Sequence, residues 1–247
     1  SLYSTLNSIR TYNFSITSAL YIGRYMSLYN LISSFTEAYE NEIPSYSFTL
    51  VTRAQWEARV AKETLPLTTP VPYVTIHHSY TPAACYGLEE CSRAMRTMQH
   101  MHMDINDWWD VGYSFAVGSD GNAYEGRGWE ILGAHAKYFN AVSIGICLIG
   151  DWTSKFLYFF LQPLLKTAKA IIAAGVELGY IKPDYRLVGH RQVRATECPG
   201  QALYNEIKSW HHYSNFPAKP IDLLDIPEIS EAMKAEIRNN TIFTIQV

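Results

Sequence analysis

The chain reads as an α/β protein with a mixed, mostly parallel central β-sheet covered by helices. Three observations predict this class. Short apolar runs rich in β-branched residues alternate with segments of helical period, the signature of strands and helices taking turns along the chain. One run, "SIGICLIG", is apolar throughout, as a strand buried on both faces requires. A single strong hairpin signal, Asp120-Gly121, accounts for the one antiparallel pair expected.

The elements follow in order. Residues 1–50 are rich in Ser, Tyr and Asn without a sustained period and read as an N-terminal extension forming a helix or two. "YVTIHHSY" (73–80), just after Pro72, opens with β-branched residues and reads as a core strand. "LEECSRAMRTMQHMHMD" (88–104) sets Leu88, Cys91, Met95, Met98 and Met101/His102 near one helical face. "YSFAVGSDGNAYEGR" (113–127) is the hairpin, and "VSIGICLIG" (142–150) the buried strand. Pro163 is expected to open a helix that Gly179 caps. "YRLVGH" (185–190) is a strand delivering His190 at its end, and "QALYNEIKSW" (201–210) a helix after Pro199-Gly200. A Pro-punctuated tail, 214–247, carries an amphipathic helix around 228–238. The globular domain is expected over 51–213, with no internal repeat.

Composition excludes several function classes. The 247 residues are 48% hydrophobic and 17% charged, ordinary for a folded protein and wrong for a disordered one. A net charge of −3 with a pI near 6.2 leaves no basic excess for nucleic acid. No apolar stretch reaches the roughly 18–20 residues that span a bilayer. No secretory signal pattern is legible, and the sequons at Asn13 and Asn239 lie outside the globular region.

Four cysteines and eight histidines carry the chemistry. Cys85 and Cys91 flank a five-residue loop that a disulfide can close in an oxidising compartment; in a reducing one they are two thiols. Cys147, inside the buried strand, reads as a small core hydrophobe. His77 and His190 stand at the ends of predicted core strands, where parallel sheets gather their ligand sites. Cys198 follows His190 through a loop long enough to fold back. Two imidazoles and a thiolate make a zinc shell with an open fourth position. A catalytic thiol, or an ordinary histidine beside half a disulfide, is the competing reading from spacing alone.

"YVTIHHSYTPAAC", "DVGYSFAVGSDGNAYEGRGW", "GAHA", "SIGICLIGDW" and "GHRQVRATECPG", in this order, resemble the peptidoglycan recognition protein family, closest to its invertebrate amidase (LB) group, and the related phage amidase lysozymes. The resemblance covers roughly 51–213. It implies one Zn²⁺ held by His77, His190 and Cys198, with Tyr113 and Thr196 assisting catalysis. Members that only bind peptidoglycan commonly replace the cysteine, so the intact set implies an N-acetylmuramoyl-L-alanine amidase acting in innate immunity, with a non-catalytic receptor as the alternative. Substrate contacts are carried over to His102, Asp107, Trp108, Arg127, His135 and Asn140. Trp108 and Arg127 imply a preference for diaminopimelate-type peptidoglycan, because a guanidinium fork suits the carboxylate that lysine lacks. Asp107 departs from the usual glycine and brings a negative charge. Glu197 is a weak candidate for the general acid or base, and His78 is expected to support packing. The Cys85–Cys91 pair points to an extracellular protein, with an intracellular form left open.

Overall fold

The computed structural model describes residues 47–154, 158–215 and 220–245; the Tyr-rich residues 1–46 of the expected N-terminal extension lie outside them. The strands are β1 (Leu50–Val51), β2 (Val71–His78), β3 (Phe115–Val117), β4 (Ala123–Glu125), β5 (Ser143–Leu148) and β6 (Ile181–Gly189). The helices are α1 (Leu88–His100), α2 (Tyr158–Glu177), α3 (Gln201–Ile207) and α4 (Glu231–Ile245). Among the described residues the strands form one sheet in the order β1-β4-β3-β5-β2-β6. All pairs are parallel except the β3–β4 hairpin. The α/β class with a mostly parallel sheet is the one the alternation of patterns predicts.

The apolar run at 143–148 is buried at every position, and β2 at all but Pro72, because helices cover both faces of the sheet centre. One core cluster joins Val74, Ile76, Ile144, Ile146 and Leu148 to Leu164, Ala168, Ile171 and Ile172 of α2. A second joins β1, β3, β4 and β5 to Cys91, Met95 and Met98 of α1. Leu88, expected on that face, is 55% exposed at the first position of α1.

Several boundaries differ from the sequence expectation, each for a local reason. The helix expected to open at Pro163 starts at Tyr158, so the proline sits inside it and withholds one intrahelical N–H. β6 starts four residues early, because a register shift opposite Val71/Tyr73 absorbs 182–185, where Pro183 cannot pair. α1 continues through a wider π turn, Met101–Ile105, which buries Met103 and turns His102 elsewhere. Past the globular region, Leu223, Ile226, Ile229 and Ile237 are buried in a third cluster with Tyr73, Ala136, Phe139, Val188 and Val193.

Candidate metal site and its cleft

β2 alternates its side chains between faces, so His77 and His78 point oppositely. His77 is buried and makes ring contacts with His190 (centroids 4.4 Å), His135 (5.0 Å) and Tyr113 (5.2 Å). His78 accepts the Trp152 N–H at Nδ1 (3.3 Å), a packing role, while its backbone N–H reaches Cys198 Sγ at 3.3 Å. Cys198 Sγ also lies 3.8 Å from His77 Nδ1.

The loop that returns Cys198 to the sheet is tightly determined. Its carbonyl accepts the Arg191 N–H (2.9 Å), and its own N–H goes to Thr196 Oγ1 (3.2 Å). Arg191 reaches back to the Glu197 carbonyl and to Gln201, so it braces the loop instead of facing a ligand. Gly200 has φ +86°, and a Cβ there would meet the Trp152 carbonyl oxygen at 2.3 Å; only glycine fits. Glu197 is 95% exposed and turned to Arg191, which does not suit a general acid or base at His77.

One atom each of His77, His190 and Cys198 lie within 4.8 Å of one another, the spacing of ligands around a single ion. His190 Nε2 is buried without a hydrogen-bond partner, a donor held ready. Burial, and then the neighbouring His190, His135 and His78, hold the His77 imidazole well below its ordinary pKa. Burial and Arg194 lower His190 to about 4. Both rings are therefore neutral at pH 7, as metal ligands must be. Burial pushes the Cys198 thiol up to about 12, against the opposing pull of the His78 N–H and Arg191. A buried thiolate here needs a cation, and the N, N, S set fits a borderline-soft divalent metal.

His77 and His190 of this cluster line a cleft of about 400 Å³. Trp108 and Tyr113 line one side; Ala134, His135, Ala136, Lys137 and Asn140 line another, with Arg194 beside His190. His135 Nδ1 lies 3.0 Å from His77 Nε2. Asn140 Oδ1 accepts both the His135 and Ala136 N–H groups (2.8 and 2.7 Å), fixing that wall. His102 Nδ1 accepts the Gly112 N–H, and its ring packs on Trp108 (4.6 Å) and Tyr113 (5.6 Å).

Two expected contacts are placed less directly. Arg127 is 9% exposed and donates to the carbonyls of Val111, Leu132 and Asp110, so it pins the loop at Asp110–Val111 that leads into β3. Asp107 adopts φ +55°, the conformation that favours glycine, and its carboxylate pairs with Lys62 at 2.6 Å. Lys62 carried no signal in sequence, because 45 residues separate the partners. Cys85 and Cys91 form a disulfide, and Cys147 is a buried free thiol.

Gly145, within β5, carries no signal of its own in the strand pattern. A Cβ there would lie 2.5 Å from Cγ and Cδ2 of His135, on backbone that β2 and β3 hold from both sides. Gly145→Ala is expected to drive His135 off His77. The overpacking costs about 1–3 kcal/mol, which thermal unfolding should register as a fall in midpoint of about 3–10 °C.

Residues 67–201 match the N-acetylmuramoyl-L-alanine amidase family model. Peptidoglycan-recognition protein LB of Drosophila melanogaster is 49% identical over 168 residues, which cover 67% of this chain and 70% of that protein. The N-acetylmuramoyl-L-alanine amidase of Mus musculus is 38% identical over 165 residues, 66% of this chain but 31% of the mouse protein. Among solved structures, a Tyr-to-Phe mutant of Drosophila peptidoglycan-recognition protein LB in complex with tracheal cytotoxin superposes with a TM-score of 0.65 at 48% identity, covering 67% of this chain and 96% of that one. Peptidoglycan recognition protein LE in complex with the same monomeric diaminopimelic acid-type peptidoglycan gives 0.65 at 40% identity, covering 68% and 96%. With the family model matched over more than half its length and a relative 49% identical over 70% of that protein, the chain belongs to the peptidoglycan-recognition branch of the N-acetylmuramoyl-L-alanine amidase family.

Proposed function

We propose that this protein is a zinc-dependent N-acetylmuramoyl-L-alanine amidase that binds diaminopimelate-type peptidoglycan and cleaves the lactyl–L-Ala amide. The observation that carries the reading is the convergence of His77, His190 and Cys198 within 4.8 Å, two of them lining the cleft. Zinc, when bound, supplies Lewis acidity and activates a nucleophile at neutral pH. The chain's own residues do the rest. His77 turns Nδ1 toward Cys198 and Nε2 toward His135; a metal held through Nδ1 would leave the proton on Nε2 to donate to His135 Nδ1, which would hold the ring in place. Thr196 holds the Cys198 loop through its hydroxyl.

Tyr113 is the hydrogen-bond donor for the oxyanion. Burial keeps its phenol well above the ordinary pKa, so it retains its proton at any working pH. Tyr113→Phe is expected to slow cleavage about 10²-fold while zinc content and muropeptide binding stay unchanged.

Substrate selection follows from the walls. Lys137 and Arg194 are the cations that line the cleft and suit the stem-peptide carboxylates. Asp107 does not oppose them, since Lys62 takes its charge. Arg127 acts by fixing the 110–112 segment beside Trp108. The diaminopimelate preference is supported by relatives 40–48% identical that carry tracheal cytotoxin. An extracellular site of action suits the Cys85–Cys91 disulfide, and degradation of immunostimulatory muropeptide would make the enzyme a modulator of innate immunity. No helix among the described residues is long and apolar enough to cross a membrane.

The test is purified protein assayed for bound zinc and for release of stem peptide from diaminopimelate-type muropeptide. One zinc per chain with cleavage is the expected result. Tight muropeptide binding without cleavage would replace the amidase by a receptor using the same cleft.

A further inference from the structure

We propose that the C-terminal segment, residues 220–245, is a positioning element of the substrate cleft, docked behind its 134–140 wall and holding it in the binding geometry. This segment lies outside the residues matched to the family, 67–201. The ligand class of the cleft is taken from the functional reading above.

The 134–140 wall has little regular structure of its own: it lies between β4 and β5, and only Asn140 opens a short 3₁₀ turn, Asn140–Val142. Tyr138 holds φ +73°, a left-handed conformation costly for a bulky residue, which persists only where packing over-determines it. From the cleft side, the Asn140 amide supplies two hydrogen bonds. From behind, Ala136 and Phe139 are fully buried, and the side chains sharing that cluster include Leu223, Ile226, Ile229 and Ile237.

The same cluster contains Val193, next to Arg194, which also lines the cleft. One apolar contact surface thus backs both cationic residues of the cleft. Polar contacts fix its register. Glu236 of α4 pairs with Lys137 at 3.4 Å, and Glu228 accepts from the Tyr73 hydroxyl, which Arg186 also contacts. The Lys137 ammonium, lying 4.9 Å over the Tyr138 ring, is therefore oriented from outside the cleft that it lines. Release of the segment would expose four large aliphatic side chains to water and leave Tyr138 free to relax, moving Lys137 and His135 together.

The experiment uses the full chain with Ile237→Asp, which puts a charge at a buried contact, and Ile237→Val as the conservative control. Hydrogen exchange of residues 134–140 is measured without ligand, and affinity for diaminopimelate-type muropeptide by calorimetry, with zinc content alongside. In Ile237→Asp, exchange across 134–140 should quicken and muropeptide affinity fall about tenfold, with metal content as in the parent; Ile237→Val should restore both. The proposal is overturned if the segment's own amides lose protection while the 134–140 wall and the affinity do not change. Should Ile237→Asp fail to fold, Ile229→Ala gives the same readings. If the parent chain binds no muropeptide, the functional reading fails, and the exchange measurement still decides this inference.

Discussion

Replacing Cys198 with alanine is expected to abolish zinc loading and amide cleavage while muropeptide binding persists. A structural zinc site with four protein ligands contributes about 10–16 kcal/mol, so by proportion one thiolate is worth about 3 kcal/mol. That corresponds to roughly 10²-fold or more in metal affinity. The thiol contributes little else: its neighbours are the His78 N–H at 3.3 Å, the His78 carbonyl at 3.7 Å and His77 Nδ1 at 3.8 Å, and a neutral thiol is only a weak hydrogen-bonding partner. The variant should therefore fold. Its cleft walls, formed by Trp108 and residues 134–140, stay in place. Zinc analysis after mild chelation, stem-peptide release and muropeptide calorimetry separate the three effects. Retained zinc and retained cleavage would move the catalytic centre away from this cluster.

The second large effect is acid lability of the metal-stripped protein between about pH 6.5 and 4. Burial lowers His78, His102 and His190 to about 4, from 6.5 in an unfolded chain. His77 and His135 shift the same way, for the same first reason. A histidine held below its unfolded pKa favours the fold only while neutral. As pH falls below 6.5 the unfolded chain takes up protons that the folded chain refuses, so stability drops until the folded rings also titrate. At pH 5 each of the three groups near 4 costs about 2 kcal/mol, together about 6 kcal/mol, comparable to the whole stability of a typical domain. Denaturant midpoints of the chelated protein should fall steeply from pH 7 to pH 5. A flat profile over that range would mean that these imidazoles are already protonated or solvated in the fold. Zinc should protect at pH 7 and lose that protection as protons compete for its ligands.

Much of this was legible in the residues. His77, His190 and Cys198 stood out because strand ends converge in a parallel sheet and because two imidazoles and a thiolate form a recognisable donor set. Tyr113, Trp108, His135 and Asn140 of the cleft followed from motif resemblance; Lys137 and Arg194 did not. Resemblance carries positions but not partners. That is why Arg127, read as an open fork, turned out to be committed to three carbonyls, and why the Asp107 charge could not be weighed before Lys62 was seen beside it. The requirement for glycine at 145 was hidden for a similar reason. It arises from a ring ten residues earlier in the chain that packs onto the strand, and a strand pattern records no such neighbour.

What the sequence by itself determined is the order of the elements from β2 onward, the sheet's burial and the hairpin, because these depend on local periodicity and turn chemistry. The tertiary structure alone decided which charges are paired, which histidine braces His77, and that 220–245 closes on the wall of the cleft. Those outcomes depend on distances between residues 45 to 100 positions apart, set by how the layers pack, and a one-dimensional pattern holds no measure of them.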